Sequence, residues 1–212
     1  GPNDSKLLDA EFVLTGLLRE NGKMEQAEQM LKGLIQRGKE SLGDDHLNVL
    51  GYEQSLASLL TTTGQTERAL QDLESLRDRV IRKLGASHPL ALRVAFSIVD
   101  AQIKSGVVDD VEAKLRNVLG DYAAAGLEDH PQAVTVRTQL AFYLLRKGDD
   151  REGLRLVETN LKLTEQRYGE DTYHSMLAMA NLGGTYAKIG QGRKGVAYAK
   201  KAFQRSQDKY GQ

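Results

Sequence analysis

The stretch Asn181–Ala202, NLGGTYAKIGQGRKGVAYAKKA, predicts two short helices joined by a tight turn. Its small and apolar residues fall at spacings that suit two helices packed back to back: Leu182, Gly183, Tyr186, Ala199 and Ala202. A helix that ends and reverses within about three residues favours a left-handed residue, which glycine adopts at the lowest cost. We therefore interpret the stretch as a helical hairpin with Gly190 at its turn.

The same pattern returns every 42 residues along the chain. Glycine occupies five positions in this register: Gly22, Gly64, Gly106, Gly148 and Gly190. A second series places His46, His88 and His130 at the same spacing, followed by Thr172. A third consists of Leu42, Leu84, Tyr168 and Tyr210, and is interrupted only at Gly126. Three series with one period indicate a repeat protein of five units.

The units resemble the tetratricopeptide repeat (TPR) in its 42-residue variety, typified by kinesin light chain. That family has a Leu-Gly or Leu-Ala pair on the first helix, glycine at the turn and a small residue on the second helix. The corresponding pairs here begin at Leu14, Leu56, Ile98, Leu140 and Leu182. The small positions are Ala27, Ala69, Val111, Gly153 and Gly195. The family's linker Leu-Gly-x-x-His-Pro is intact at Leu84–Pro89, and the resemblance covers Ser5 to Gly211.

This resemblance and the helical spacing of apolar residues predict an all-α protein, a right-handed α-solenoid of five two-helix TPR-like repeats. The expected helices are 5–21, 24–42, 47–63, 66–84, 89–105, 109–125, 131–147, 150–168, 172–189 and 193–210. We place the repeats at 5–45, 46–87, 88–129, 130–171 and 172–212, in a single domain over 5–212. Residues 1–4 are interpreted as a cloning scar and a disordered N-terminus. Because the sequence stops where a sixth repeat would begin, we expect a piece of a longer protein.

Bulk composition excludes several classes of protein. The chain has 29 basic and 29 acidic residues, so no global field attracts nucleic acid or an anionic membrane. It has no cysteine, which rules out disulfides and thiolate metal sites. No run of about 18 apolar residues is present, so we expect no membrane insertion. We expect a cytoplasmic protein, with a soluble extracytoplasmic domain of a larger protein as the alternative.

Two patterns imitate chemical motifs. Gly190–Gly195 spells G-x-G-x-x-G, but a nucleotide fingerprint requires a preceding strand, and a helix is expected there. The histidine series cannot share a zinc ion, because successive helix layers are about 10 Å apart and a ligand nitrogen must approach to about 2.1 Å. We interpret these histidines as loop residues at helix starts. No catalytic, cofactor or metal site is predicted, and we expect no enzyme.

The predicted C-terminal helix is basic and carries Arg193, Lys194, Lys200, Lys201, Arg205 and Lys209. One interpretation is a solvated outer face that caps the solenoid, since cations are favoured near a helix C-terminus. The alternative is a second surface for an acidic partner or nucleic acid. Few aromatic residues are interleaved with the cations, so nucleic acid is not predicted as a partner.

The resemblance implies that the first helix of each repeat lines a concave groove. Carried onto this sequence, the candidate binding residues are Arg93, Phe96, Asp100, Lys104, Thr138, Phe142, Arg146, Asn181 and Lys188. Asn181 stands just before the leucine of the first helix, where kinesin-light-chain repeats commonly place an asparagine that holds a peptide backbone. The three cations Lys104, Arg146 and Lys188 are 42 residues apart and would form a basic row.

This basic row could hold acidic side chains or a terminal carboxylate, with Phe96 and Phe142 as apolar anchors. The alternative is that these are ordinary solvated charges on exposed helices. We therefore predict a non-enzymatic scaffold that binds a protein or an extended peptide in the groove, with an acidic segment as one candidate. The second hypothesis is a sensory or regulatory domain of a larger signalling protein, such as a bacterial Ser/Thr kinase or transcription regulator. Self-association is also expected wherever a terminal apolar stripe is uncovered.

Overall fold

The structure, a computed structural model, describes residues 5–106 and 109–211. Over these ranges the chain forms ten α-helices and no strand. The helices are α1 (Ser5–Glu20), α2 (Met24–Leu42), α3 (Leu47–Thr62), α4 (Thr66–Leu84), α5 (Pro89–Lys104), α6 (Val111–Ala124), α7 (Pro131–Lys147), α8 (Asp150–Tyr168), α9 (Tyr173–Lys188) and α10 (Gly192–Tyr210). The predicted all-α fold of five two-helix repeats is confirmed. The scar and tail predicted for residues 1–4 lie outside the described residues.

The helices pack in two compact units, one ending at Val111 and the other beginning at Glu112. In the first unit α1 pairs with α2 and α3 with α4, and each second helix also contacts the next first helix, α2 with α3 and α4 with α5. In the second unit α7 pairs with α8, α8 contacts α9, and α9 pairs with α10. Within each unit, neighbouring hairpins therefore bury apolar surface against each other. The single domain over 5–212 stays a prediction.

The hairpin turns use the predicted glycine series in the left-handed region. The φ angles are 73° at Gly22, 86° at Gly64, 80° at Gly106, 88° at Gly148 and 78° at Gly190. A side chain with a Cβ rarely adopts this conformation, so glycine lets the first helix stop and reverse. The turn role inferred from the spacing is confirmed.

The histidine series caps the first helices of repeats two, three and four. In each case the imidazole Nδ1 accepts the backbone N–H of the residue two positions on, at 3.2 Å for His46, 3.1 Å for His88 and 3.2 Å for His130. Pro89 and Pro131 follow at the first helical position, where the missing N–H has no partner to lose. Thr172 caps α9 in the same register, accepting from the backbone N–H of Ser175. The predicted role at helix starts is confirmed.

The second helices bury the position that the repeat pattern reserves for a small residue. All five of these positions are buried: Ala27, Ala69, Val111, Gly153 and Gly195. Antiparallel helices can approach closely only where a side chain is small.

None of the helices in the described ranges has the length and apolarity required to cross a bilayer.

Candidate functional site

The second unit contains a cavity of about 240 Å³ between α7, α8 and α9. Its walls come from Pro131, Val134, Thr135, Thr138 and Phe142 of α7, from Val157, Asn160, Thr164 and Tyr168 of α8, and from His174, Leu177, Ala178 and Asn181 of α9. The helices α7 and α9 are the first helices of repeats four and five. The cavity thus lies between consecutive first helices and brings together three predicted residues, Thr138, Phe142 and Asn181.

Two large apolar side chains of this cavity are about half exposed. Phe142 on α7 is 43% exposed and Leu177 on α9 is 48% exposed. Most leucine and phenylalanine side chains of a folded domain are buried, and exposed ones that line a concavity together indicate a binding surface. The two residues offer apolar area that a ligand could cover.

Three polar side chains of α7 and α9 are exposed near this cavity. The side chain of Asn181 is exposed and makes no hydrogen bond to any residue that the structure describes. Arg146 lies one turn beyond Phe142, and Lys188 lies two turns beyond Asn181, on the same helix faces. Both cations are exposed, and neither forms an ion pair within 5–106 and 109–211. These three side chains are therefore free to meet a ligand.

Two aromatic side chains line the end of the cavity that lies away from Arg146 and Lys188. The ring of His174 stacks on the ring of Tyr168, with centroids 4.5 Å apart and an interplanar angle of 16°. This pair lies where α8 ends and α9 begins, while Arg146 and Lys188 lie toward the C-terminal ends of α7 and α9. The groove therefore has an aromatic end and a basic end.

A buried polar network supports the floor of the groove. Asn160 accepts from Nη1 of Arg137 at 2.8 Å, and its amide nitrogen donates to Oγ1 of Thr138 at 2.9 Å and to the carbonyl of Val134 at 3.2 Å. Arg137 is only 8% exposed, and burial lowers the pKa of its guanidinium. Its Nη2 donates to the carbonyl of Glu128 at 3.1 Å. Thr138, predicted as a ligand contact, is thus already bonded inside the protein.

Arg137 and Asn160 were not predicted. Asn160 occupies the register position of Leu34 and Leu76, which are buried apolar residues in repeats one and two. A polar residue at a core position of the repeat was the signal that could have identified the network.

The remaining predicted residues lie in the first unit, apart from this cavity. Phe96 was predicted to be an apolar anchor, and its side chain is only 7% exposed. The helix that carries it, α5, packs against both α3 and α4, which leaves little of this face open. Lys104 forms an ion pair with Asp100 at 2.9 Å, four residues earlier, and Arg93 is half-buried. In the predicted basic row, the charge of Lys104 is therefore balanced by Asp100.

The basic helix α10 is partly engaged within the second unit. Arg205 donates to the carboxylates of Glu170 at 2.6 Å and Glu165 at 3.3 Å. Lys209 donates to the backbone carbonyl of Asp171. These contacts hold α10 against the end of α8 and the α8–α9 loop. The interpretation of α10 as a solvated outer face did not predict them.

The glycine motif at 190–195 and the histidine series, which resemble binding motifs, have structural roles. Gly190 forms the turn after α9, and Gly192 and Gly195 belong to the first turn of α10, so a helix and not a strand precedes the glycines. In the part of the chain that the structure describes, no three histidine or acidic side chains are grouped as a metal site.

Comparison with known proteins identifies the class of repeat. The family model of the tetratricopeptide repeat matches residues 14–48 and 54–90. The matched residues thus have the tetratricopeptide-repeat pattern that the 42-residue period predicted. No relative was found among curated proteins.

Solved structures share the fold at low sequence identity. A kinesin-light-chain candidate from Podosopora anserina with nearly identical TPR-like repeats is 18% identical, with a TM-score of 0.67 and 97% of each chain covered. BtubC (BKLC) from P. vanneervenii is 17% identical, with a TM-score of 0.70, and the match covers 98% of this chain and 82% of BtubC. The Rap conjugation gene regulator of plasmid pLS20, solved with the Phr* peptide, is 12% identical with a TM-score of 0.74. That match covers 93% of this chain and 53% of the Rap chain.

Proposed function

We propose that this chain is a non-enzymatic interaction scaffold that binds an extended peptide segment between α7 and α9. The observation that carries the proposal is the cavity of about 240 Å³, in which Phe142 and Leu177 remain about half exposed. Pockets for drug-sized molecules have volumes of about 300–1,000 Å³. A smaller cavity within a longer groove suits one or two side chains of a peptide better than a whole small molecule.

The chemistry around the cavity defines the peptide further. The amide of Asn181 can both donate and accept, which matches the alternating groups of an extended backbone. Arg146 and Lys188 would attract an acidic side chain or a terminal carboxylate at the basic end, and charge-assisted hydrogen bonds are stronger than neutral ones. The favoured segment therefore places one or two apolar residues over the cavity and a carboxylate beside them.

The Rap regulator supports a peptide as the probe. Its structure has the same repeat fold and contains a bound peptide. It is also a regulator, so a sensory or regulatory role within a larger signalling protein is the second hypothesis. In both hypotheses the groove binds a ligand and performs no chemistry.

The test is peptide binding measured by fluorescence anisotropy. Labelled peptides with an apolar pair next to acidic residues are compared with versions in which lysine replaces the acids or alanine replaces the apolar pair. We expect Leu177→Asp to abolish binding, because it places a charge on the apolar floor. Arg146→Glu with Lys188→Glu should weaken binding about tenfold or more, since one charged hydrogen bond is worth about 1.5–3 kcal/mol.

The matched control is Arg151→Glu with Lys162→Glu. Both residues are exposed on α8, turned away from its cavity-lining face, and the control changes the net charge equally. Equal loss of binding in the control and in the groove variant would show general electrostatic attraction. Unchanged binding in Leu177→Asp would exclude this groove as the site.

A further inference from the structure

The junction between α4 and α5 shows how a second helix accepts the next first helix. The contributing residues of α4 are Leu70, Leu73, Leu76, Val80 and Leu84. Those of α5 are Leu90, Ala91, Val94, Ile98 and Ala101. Together with Leu50 and Ala57 of α3, the two sets form one apolar cluster within the first unit, so these register positions contribute to a repeat-to-repeat interface.

The helix α10 repeats the α4 face, and no helix within residues 5–106 and 109–211 covers it. Three repeats further on, the positions equivalent to the α4 set are Val196, Ala199, Ala202, Ser206 and Tyr210. All except Ala202 are exposed. Phe203 beside them is 63% exposed, and its equivalent in repeat one, Ile35, packs against the cluster that contains Leu56 of α3. This surface, the α10 face, is thus mostly apolar and, apart from Ala202, exposed in the structure.

The helix α1 repeats most of the α5 face, and no helix within residues 5–106 and 109–211 covers it. Two repeats earlier, the positions equivalent to Leu90, Ala91, Val94, Ile98 and Ala101 are Lys6, Leu7, Ala10, Leu14 and Leu17. All five are exposed, and all except Lys6 are apolar, whereas the α5 residues are buried. This surface, the α1 face, is the complementary half of the same interface type.

The charges of the two helices are also opposite. Six basic residues and one acidic residue lie on α10, whereas α1 carries three acidic residues and two basic ones. Opposite charge around an apolar contact favours encounter of the two faces and disfavours the pairing of α10 with another α10.

We propose that the chain associates head to tail, with the α10 face of one copy packed on the α1 face of a second copy. The contact would extend the repeat stacking from one molecule into the next. It joins two different faces, so it is heterologous and leaves one free face at each end of the assembly. This inference does not rest on the peptide groove, and neither face includes the cavity residues.

The test uses two variants that each block one face. Phe203→Asp blocks the α10 face and leaves the α1 face intact, whereas Leu14→Lys does the reverse. Sedimentation velocity of the unmodified chain should show a weight-average size that grows with concentration. Each variant alone should remain monomeric, and an equimolar mixture should form dimers and nothing larger, because only one compatible pair of faces remains.

Ile81→Asp is the control, because Ile81 is a large apolar residue of α4 that is exposed outside both faces. It should associate as the unmodified chain does. Circular dichroism of both blocking variants verifies that they are folded. A chain that stays monomeric at every concentration overturns the proposal. Association that survives Leu14→Lys but not Phe203→Asp also overturns it, since it would indicate a symmetric α10 contact.

Discussion

Gly195 of α10 lies against Gly183 of α9 so closely that a Cβ at Gly195 would come within 2.7 Å of the Gly183 carbonyl oxygen. The same Cβ would meet the backbone nitrogen of Ala187 at 3.1 Å. Since both neighbours are backbone atoms within helices, neither can move aside as a flexible side chain would. The two glycines therefore set the separation of the last helix pair.

Gly195→Ala should destabilise the protein although alanine is the better helix former. The steric cost of overpacking, about 1–3 kcal/mol, exceeds or cancels the helix-propensity gain of about 1 kcal/mol. The midpoint of urea denaturation measures the result. Gly184→Ala, in α9 with no atom within 4 Å of the added Cβ, is the control and should be stabilising. Equal stabilisation by both substitutions would contradict the close approach.

His88→Ala should lower the free energy of unfolding by about 0.5–2 kcal/mol, the usual cost of removing an N-cap acceptor. The imidazole Nδ1 accepts the backbone N–H of Leu90 at 3.1 Å, and alanine leaves that donor without the bond. His88→Asn supplies a new acceptor and should recover most of the loss. If the alanine and asparagine variants unfold at the same urea concentration, the imidazole does not act as a cap.

Arg137 and Asn160 should be strongly coupled in a double-mutant cycle. Asn160→Leu removes a partner from a guanidinium that is 8% exposed, and loss of one partner of a buried charge costs about 3–5 kcal/mol. Arg137→Met similarly leaves the Asn160 oxygen without a donor. The double variant installs the residues that other repeats have at these positions, Met179 in repeat five and Leu34 in repeat one.

Because the double variant replaces both partners with apolar groups, it should be far less destabilised than the sum of the two single variants. Urea denaturation of all four proteins completes the cycle. Additive losses would mean that the two side chains do not depend on each other.

Tyr186→Phe should alter how stability depends on pH in the alkaline range. The Glu158 carboxylate accepts a hydrogen bond from the Tyr186 hydroxyl at 2.7 Å and raises the pKa of Tyr186 to about 12. An unfolded tyrosine loses its proton near pH 10, so between about pH 10 and 12 the unfolded state binds fewer protons than the folded state. Stability from this bond is full below pH 10 and falls as the pH rises toward 12.

The measurement is the difference in unfolding free energy between Tyr186→Phe and the unmodified chain across this range. This difference should shrink as the pH rises. Tyr173→Phe, which removes the hydroxyl of an exposed tyrosine, is the control and should leave the pH profile unchanged. A constant difference for Tyr186→Phe would exclude the carboxylate bond as a source of stability.

Much of the fold could be predicted because individual residue types at fixed positions mark the turns and helix starts of each repeat. The glycines of one series, such as Gly64 and Gly148, mark turns by their backbone freedom, and His88-Pro89 marks a helix start. Most predicted helix limits agree with the structure to within one residue, and α6 begins two residues later than expected. Its start follows Asp110, a non-glycine residue with a φ of 58° that no local pattern predicted.

The candidate site was less predictable because burial depends on neighbouring helices. The family resemblance assigned both Phe96 and Phe142 to the groove, but only Phe142 keeps a half-exposed side chain. The ion pair that neutralises Lys104 depends on Asp100, and no other repeat has an acidic residue at the equivalent position. Register predicted which helix face a residue occupies, and it could not predict what covers that face.

The shared positions of the repeat-to-repeat contacts have a consequence for how such a chain can change over generations. Since the α4–α5 junction and the exposed faces of α1 and α10 use one register, removal or duplication of an in-frame 42-residue block joins surfaces of the same kind. Copy number can therefore vary by recombination between similar segments without a new type of junction. Point substitutions at Gly195 or Arg137, by contrast, act inside a single block and must be tolerated there.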